Sequence, residues 1–148
     1  MEQRIKGTTG LLALIGSPVG HSGSPAMYNF SFQYHNLDYA YMAFDIKEDQ
    51  VPAALDAMRL FKMRGCNVTM PCKQAIIPLL DGLSDSAELM GAVNVLKKEE
   101  DGRITGHNTD GTGMMQNIRN HGEEIEGKTI TVLGPGGAGS AILVQAAL

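Results

Sequence analysis

Asn67-Val68-Thr69-Met70-Pro71-Cys72-Lys73 is the stretch that decides the fold. From Cys66 to Met70 it has the length and apolar character of a short buried strand. Pro71 ends that strand, because proline cannot donate to a ladder yet fits the first turn of a helix, so a helix is expected from Cys72 or Lys73. Such a junction sets Thr69 and Lys73 at the carboxyl end of a strand, which is where ligands bind in open parallel sheets. A hydroxyl and an ammonium presented together there suit a polar small molecule. Taken alone, Lys73 reads more readily as a solvated lysine in a first helical turn; its neighbours must decide.

Upstream, Leu11-Leu12-Ala13-Leu14-Ile15 is a continuous apolar run of strand length, the pattern of a strand covered on both faces. A loop of Gly, Pro and Ser follows from Ser17 to Pro25, then a helix through Ala26–Phe30, with Ser24 as N-cap and Pro25 at the first helical position. Ser22 and Ser24 read as capping and turn residues, and equally as neutral donors of an anion site at the helix N-terminus. Tyr39 to Ile46 forms a second strand. Glu48 to Lys62 forms an amphipathic helix with Val51, Leu55 and Met58 on one face and acidic residues in its first turn. The opening stretch is then the third strand, and the order strand, helix, strand, helix, strand predicts a mostly parallel sheet with right-handed crossovers.

Downstream, helical segments are expected over Lys73–Leu80 and Asp85–Met90, broken by Pro78 and an Asp81-Gly82 turn. Gly91–Leu96 and Gly102–Gly106 read as a hairpin around the charged turn Lys97–Asp101. Asn94 lies among apolar residues, where its amide must find partners. Asp110 opens the next helix, as an N-cap or as a carboxylate partner for Lys73. Gly122–Lys128 marks a boundary before the strand Thr129–Leu133. That strand leads into Gly134-Pro135-Gly136-Gly137-Ala138-Gly139 and a helix from Ile142 to Leu148. Gly134, Gly136 and Gly139 meet the Gly-x-Gly-x-x-Gly pattern in its strand-to-helix setting, where glycine lets backbone N–H groups approach a pyrophosphate, so Gly134, Gly136, Gly137, Ala138 and Gly139 are the expected dinucleotide contacts. The acidic or basic side chain that selects NAD or NADP falls some 20 residues further on, past Leu148.

At 148 residues and 43% hydrophobic, the chain has enough apolar content for a real core. A formal net charge of −4 and the absence of a basic run argue against a nucleic-acid or membrane-surface partner. With no apolar run of membrane-span length and no signal-peptide pattern, a cytoplasmic setting is expected. The two cysteines are read as reduced packing residues, and the four histidines form no paired ligand motif, so no metal is expected.

Together these motifs resemble the shikimate dehydrogenase family, in particular its quinate/shikimate branch. The resemblance is carried by Gly16-Ser17-Pro18, His21-Ser22-Gly23-Ser24-Pro25, Asn67 to Lys73, Gly91-Ala92-Val93-Asn94, Gly106-His107-Asn108-Thr109-Asp110 and the glycine loop, with Tyr39 to Phe44 and Lys62 to Gly65 pointing to the branch. Tyr28 stands where His is frequent, and Val95 where Thr usually follows the Asn. The resemblance implies an α/β substrate-binding catalytic domain over residues 1–121, and over 122–148 a linker with the first strand, loop and helix of a Rossmann-type domain that continues beyond this chain. It implies catalytic roles for Lys73 and Asp110, substrate contacts from Ser22, Ser24, Tyr41, Thr69 and Asn94, NAD or NADP as cofactor, shikimate or quinate as substrate, and room for a homodimer. The rival reading is a non-catalytic hydroxy-acid-binding fragment or regulatory module.

Overall fold

The computed structural model describes residues 5–134 and 136–148; the first four residues of the expected lead-in, and Pro135 of the glycine loop, lie outside them. Six strands form one sheet: β1 (Gly10–Gly16), β2 (Tyr39–Asp45), β3 (Gly65–Val68), β4 (Gly82–Leu83), β5 (Val95–Lys98) and β6 (Ile104–His107), in the order β2-β1-β3-β5-β6-β4. The β2–β1, β1–β3 and β4–β6 pairs are parallel; β5 alone runs against its neighbours, antiparallel to β3 and, as the first strand of a hairpin, antiparallel to β6. The helices are α1 (Ser24–Tyr34), α2 (Val51–Leu60), α3 (Cys72–Ala75), α4 (Asp85–Met90), α5 (Asp110–Asn120) and α6 (Gly137–Ala147).

The continuous apolar run in β1 has the expected cause. Ala13 and Ile15 face one core with Val51, Leu55 and Met58 of α2, Cys72 of α3 and Ala87 of α4. Leu14 faces the other, with Phe32 of α1 and Tyr41 of β2. Because side chains alternate along a strand, a strand with a core on both faces needs no polar position. The outer edge of β2 is partly closed by a side chain: Asn29 of α1 donates through Nδ2 to Tyr41 O (2.8 Å) and accepts from Tyr41 N–H (3.0 Å), standing in for a missing strand.

Several expectations are corrected. The helix after Pro71 ends at Ala75, and Ile77–Leu79 continues as a 3-10 turn, since Pro78 has no N–H to donate. Gly82–Leu83 is a short strand beside β6 instead of a turn. Gly91 is the left-handed C-cap of α4 (φ 59°), so the fifth strand starts only at Val95. Helix α1 starts at Ser24 with Gly23 as N-cap and no side-chain cap, and it runs on to Tyr34. Residues 129–133 are not a strand. A strand exists only through a ladder, and among the described residues nothing pairs with that segment.

One close approach holds the site end of the sheet together. Gly16 closes β1 at φ 151°, and a Cβ there would run into Thr69 Cγ2 and lie 2.7 Å from Met70 O. Thr69 N–H donates to Ile15 O (2.9 Å) and Ser17 N–H to Met70 O (2.9 Å), so the strand ends are stitched where the side chain is missing. Gly16→Ala is expected to destabilise the chain by about 2–4 kcal/mol, through overpacking and backbone strain at one point. Urea unfolding checks this, and an unchanged midpoint would mean that the strand ends can part freely.

Candidate active site

Three chain segments converge at the carboxyl ends of the parallel strands. The turn after β3 carries Thr69 and, through α3, Lys73; the loop before β5 carries Asn94; the turn after β6 carries Asp110 as the first residue of α5. They are tied by main-chain bonds from Val93 N–H to Lys73 O (2.9 Å) and from Asn94 N–H to His107 O (3.0 Å).

Within this frame Lys73 Nζ donates to Asp110 Oδ2 at 2.6 Å, and Asn94 Nδ2 donates to Asp110 Oδ1 at 2.7 Å. Both carboxylate oxygens are thereby engaged, each by a different strand end. The side chains of Lys73 and Asp110 keep 20% and 29% of their surface exposed, enough shelter for a strong charge-assisted bond and enough opening for a ligand. Asn94 Oδ1 in turn accepts from Thr109 N–H (3.0 Å). The two sequence readings of Asp110 are therefore resolved: Thr109 is the N-cap position and the carboxylate points to Lys73.

Asn108 is a contributor that the sequence reading missed. It is a buried polar residue at 3% exposure, donating through Nδ2 to Ala92 O (2.8 Å) and accepting through Oδ1 from Asp110 N–H (2.9 Å). One amide thus clamps the loop of Asn94 to the turn of Asp110. The available signal was an Asn two residues before an Asp at a helix start, the spacing of an Asx turn. Asn67, quoted only as part of a motif, also has a role: it accepts from the Tyr41 hydroxyl at 2.8 Å, and its own Nδ2 lies 3.5 Å from Asn94 O.

Tyr41 is 4% exposed and stacked on Tyr28 with ring centroids 4.5 Å apart. Burial pushes its phenol far above the ordinary tyrosine range, so it stays a neutral donor to Asn67, whose own amide reaches Asn94 O. Ser22 lies on the loop from β1 into α1, and Ser24 is the first residue of α1. Ser22 Oγ accepts from Ser24 N–H (3.2 Å), while among the described residues the Ser24 and Thr69 hydroxyls have no hydrogen-bond partner. Cys66 and Cys72 are buried and free, and burial raises both thiols, Cys66 to about 12, which keeps them protonated and inert. No group of three or more metal-ligating side chains occurs among the described residues.

The glycine loop leads into a helix, but α6 starts at Gly137, inside the expected loop, and not at Ile142. Gly136 is its N-cap and Gly134 has φ 99°, while a Cβ on Gly139 would run into Gly134 O. Glycine is thus required for the close turn, and the backbone around Gly137 and Ala138 opens a helix of eleven residues. The helix side of a dinucleotide cradle fits; the strand side is not formed.

Residues 14–96 match the family model described as the shikimate dehydrogenase substrate binding domain. This chain belongs to that family. Among shikimate dehydrogenases, the NADP(+) enzyme of Alkaliphilus metalliredigens is 47% identical over 148 residues, covering all of this chain and 51% of the relative. That of Streptococcus uberis is 47% identical over 149 residues, with 50% of its length covered. The chain therefore spans about half the length of the curated relatives it matches. The crystal structure of shikimate 5-dehydrogenase from Listeria monocytogenes, in complex with shikimate and NAD, superposes with a TM-score of 0.94 at 44% identity, covering 99% of this chain and 50% of that one.

Replacing Asn108 with Ala would leave Ala92 O buried, and Asp110 N–H half-buried, without their partners. The expected cost is about 2–4 kcal/mol in chemical denaturation. A loss below 0.5 kcal/mol, on the order of an ordinary surface substitution, would remove Asn108 from the framework of the site.

Proposed function

We propose that this chain is the substrate half of a shikimate dehydrogenase that interconverts a ring hydroxyl of shikimate, or of the related quinate, and the corresponding ketone. The observation that carries this reading is the Lys73–Asp110 ion pair completed by Asn94, set at the carboxyl edge of the sheet beside two open hydroxyls. As the neutral amine Lys73 takes the proton from the ring hydroxyl in oxidation and, as the ammonium so formed, returns it in reduction; as the ammonium throughout, it instead holds the developing alkoxide by its charge. Asp110 fixes the Lys73 ammonium in direction and accepts from a neighbouring substrate hydroxyl. Asn94 holds the carboxylate of Asp110 in plane, and its amide lies within reach of the same ring. Ser22, Ser24 and Thr69 supply neutral hydroxyl donors, with Ser22 and Ser24 assigned to the substrate carboxylate near the start of α1. Tyr41 acts through Asn67, so a preference between shikimate and quinate would depend on how that pair sets the floor of the site.

The cofactor assigned is NADP or NAD, which when bound supplies the hydride acceptor. Backbone N–H groups at Gly134, Gly136, Gly137, Ala138 and Gly139 would hold its pyrophosphate. We assign residues 1–121 to the substrate domain and 122–148 to the linker and the first part of the nucleotide domain. A cytoplasmic location suits two buried, protonated thiols in an acidic chain. Among the described residues no helix is long and apolar enough to cross a membrane. A non-catalytic hydroxy-acid binder is disfavoured by Lys73 and Asp110, because simple recognition of an acid gains nothing from a carboxylate at the centre of its site.

Lys73→Ala in a full-length form is expected to lower kcat by ~10²–10⁴ while shikimate affinity changes within about tenfold. Steady-state cofactor reduction and calorimetry measure the two quantities. Turnover near that of the unsubstituted enzyme would take Lys73 out of the chemistry. The present chain, with one side of its nucleotide cradle unformed, is expected to bind shikimate without reducing NADP.

A further inference from the structure

The site and the glycine loop are carried by two helices that touch through a glycine. Gly111 follows Asp110 directly in the first turn of α5 and is buried. A Cβ built there would lie 2.6 Å from Ala141 O and 2.7 Å from Gln145 Cβ, both on α6, and 3.0 Å from Met90 Cε at the end of α4. The first is backbone and the second is rooted to it, so neither can swing aside. Packed helices answer such a clash by moving as bodies, and α6 would have to retreat by several tenths of an ångström. Helix geometry does not ask for glycine here, since alanine is the better helix former. Gly113, on the same helix, shows the contrast: it is exposed and its Cβ would meet nothing within 4 Å. The helix that Gly111 touches is the one that opens on Gly136 and carries Gly137 to Gly139.

We propose that Gly111 is a positioning residue: its bare backbone seats α6 against Asp110 and so fixes the distance from the substrate-binding trio of Lys73, Asn94 and Asp110 to the glycine loop. This rests on the dehydrogenase reading and adds to it the joint that registers one half of the reaction against the other. Reacting atoms must approach to about 3–3.5 Å, and a displacement of about 1 Å costs on the order of a hundredfold in rate. A shift of α6 alone would therefore be felt in hydride transfer while the substrate contacts stay intact.

The test sets Gly111→Ala beside Gly113→Ala, in this chain and in a full-length form that continues past Leu148. In this chain Gly113→Ala raises Tm by ~2–4 °C through helix propensity, whereas Gly111→Ala lowers it. Shikimate affinity stays within about threefold of the parent for both, because Lys73, Asn94 and Asp110 are untouched. In the full-length form Gly111→Ala lowers kcat at least about tenfold with the shikimate KM changed less than about threefold, and Gly113→Ala keeps the parent kcat. A glycine needed only for stability would lower Tm and leave kcat alone. If Gly111→Ala does not fold, Ala141→Cys, which adds one atom to the fully buried side of α6, takes its place with the same split expected. The proposal is overturned by a kcat equal to that of Gly113→Ala, or by a loss of shikimate affinity as large as the loss of kcat. A parent full-length form without shikimate dehydrogenase activity would instead overturn the reading on which it rests.

Discussion

The rest of the structure depends on the 2.6 Å bond between Lys73 Nζ and Asp110 Oδ2. Its partners are far apart in sequence, and a partly buried ion pair is worth little, or is costly, unless both ends are held and the remaining lone pairs are satisfied. Here the holding is done by backbone. β3 ends at Val68 and Pro71 is the N-cap of α3, which carries Lys73 to Asp110; Gly91 ends α4 so that Ala92 to Asn94 can turn in, and Asn108 joins that loop to the start of α5. Asn94 then takes the second oxygen of Asp110. The pair is a product of the sheet order β3-β5-β6, which sets these three segments side by side.

That arrangement explains which parts were legible in the sequence. The continuous apolar run of β1, the face of Val51, Leu55 and Met58 on α2, and the helix start at Cys72 after Pro71 are local consequences of periodicity and proline chemistry, and each appears where expected, although β3 ends at Val68 and not at Met70. The partnership of Lys73 with Asp110 was legible only as one of two readings, since either residue could have ended in solvent. What could not be read was pairing across the sheet: the two-residue strand β4 exists only because β6 offers it a ladder, and β5 starts at Val95 only because Gly91 is needed to end a helix. Asn108 and Asn67 escaped for a related reason, as an asparagine's partners are fixed by tertiary contact. Tyr41 shows the same limit from another side. Its place beside the site was legible, but its burial beneath Tyr28 and its bond to Asn67 were not.

The glycine loop marks the limit of what this stretch of chain forms by itself. Its helix has an apolar face to bury against α5 and α4, and it forms. Residues 129–133 have the composition of a strand but no ladder among the described residues, and they do not form one. Propensity proposes an element; a partner makes it. The same rule separates two parts of the chain, because the Lys73–Asp110–Asn94 cluster closes on side chains set at the ends of strands that are paired whereas a nucleotide cradle needs neighbouring strands.

Calorimetric titration of shikimate into this chain and into its Asp110→Ala variant tests most directly whether the substrate site is complete within it. Saturable one-site binding to the parent, weakened at least about tenfold by removal of a charged hydrogen-bonding partner, is the predicted result. No saturable binding, or equal binding by the two proteins, would contradict it.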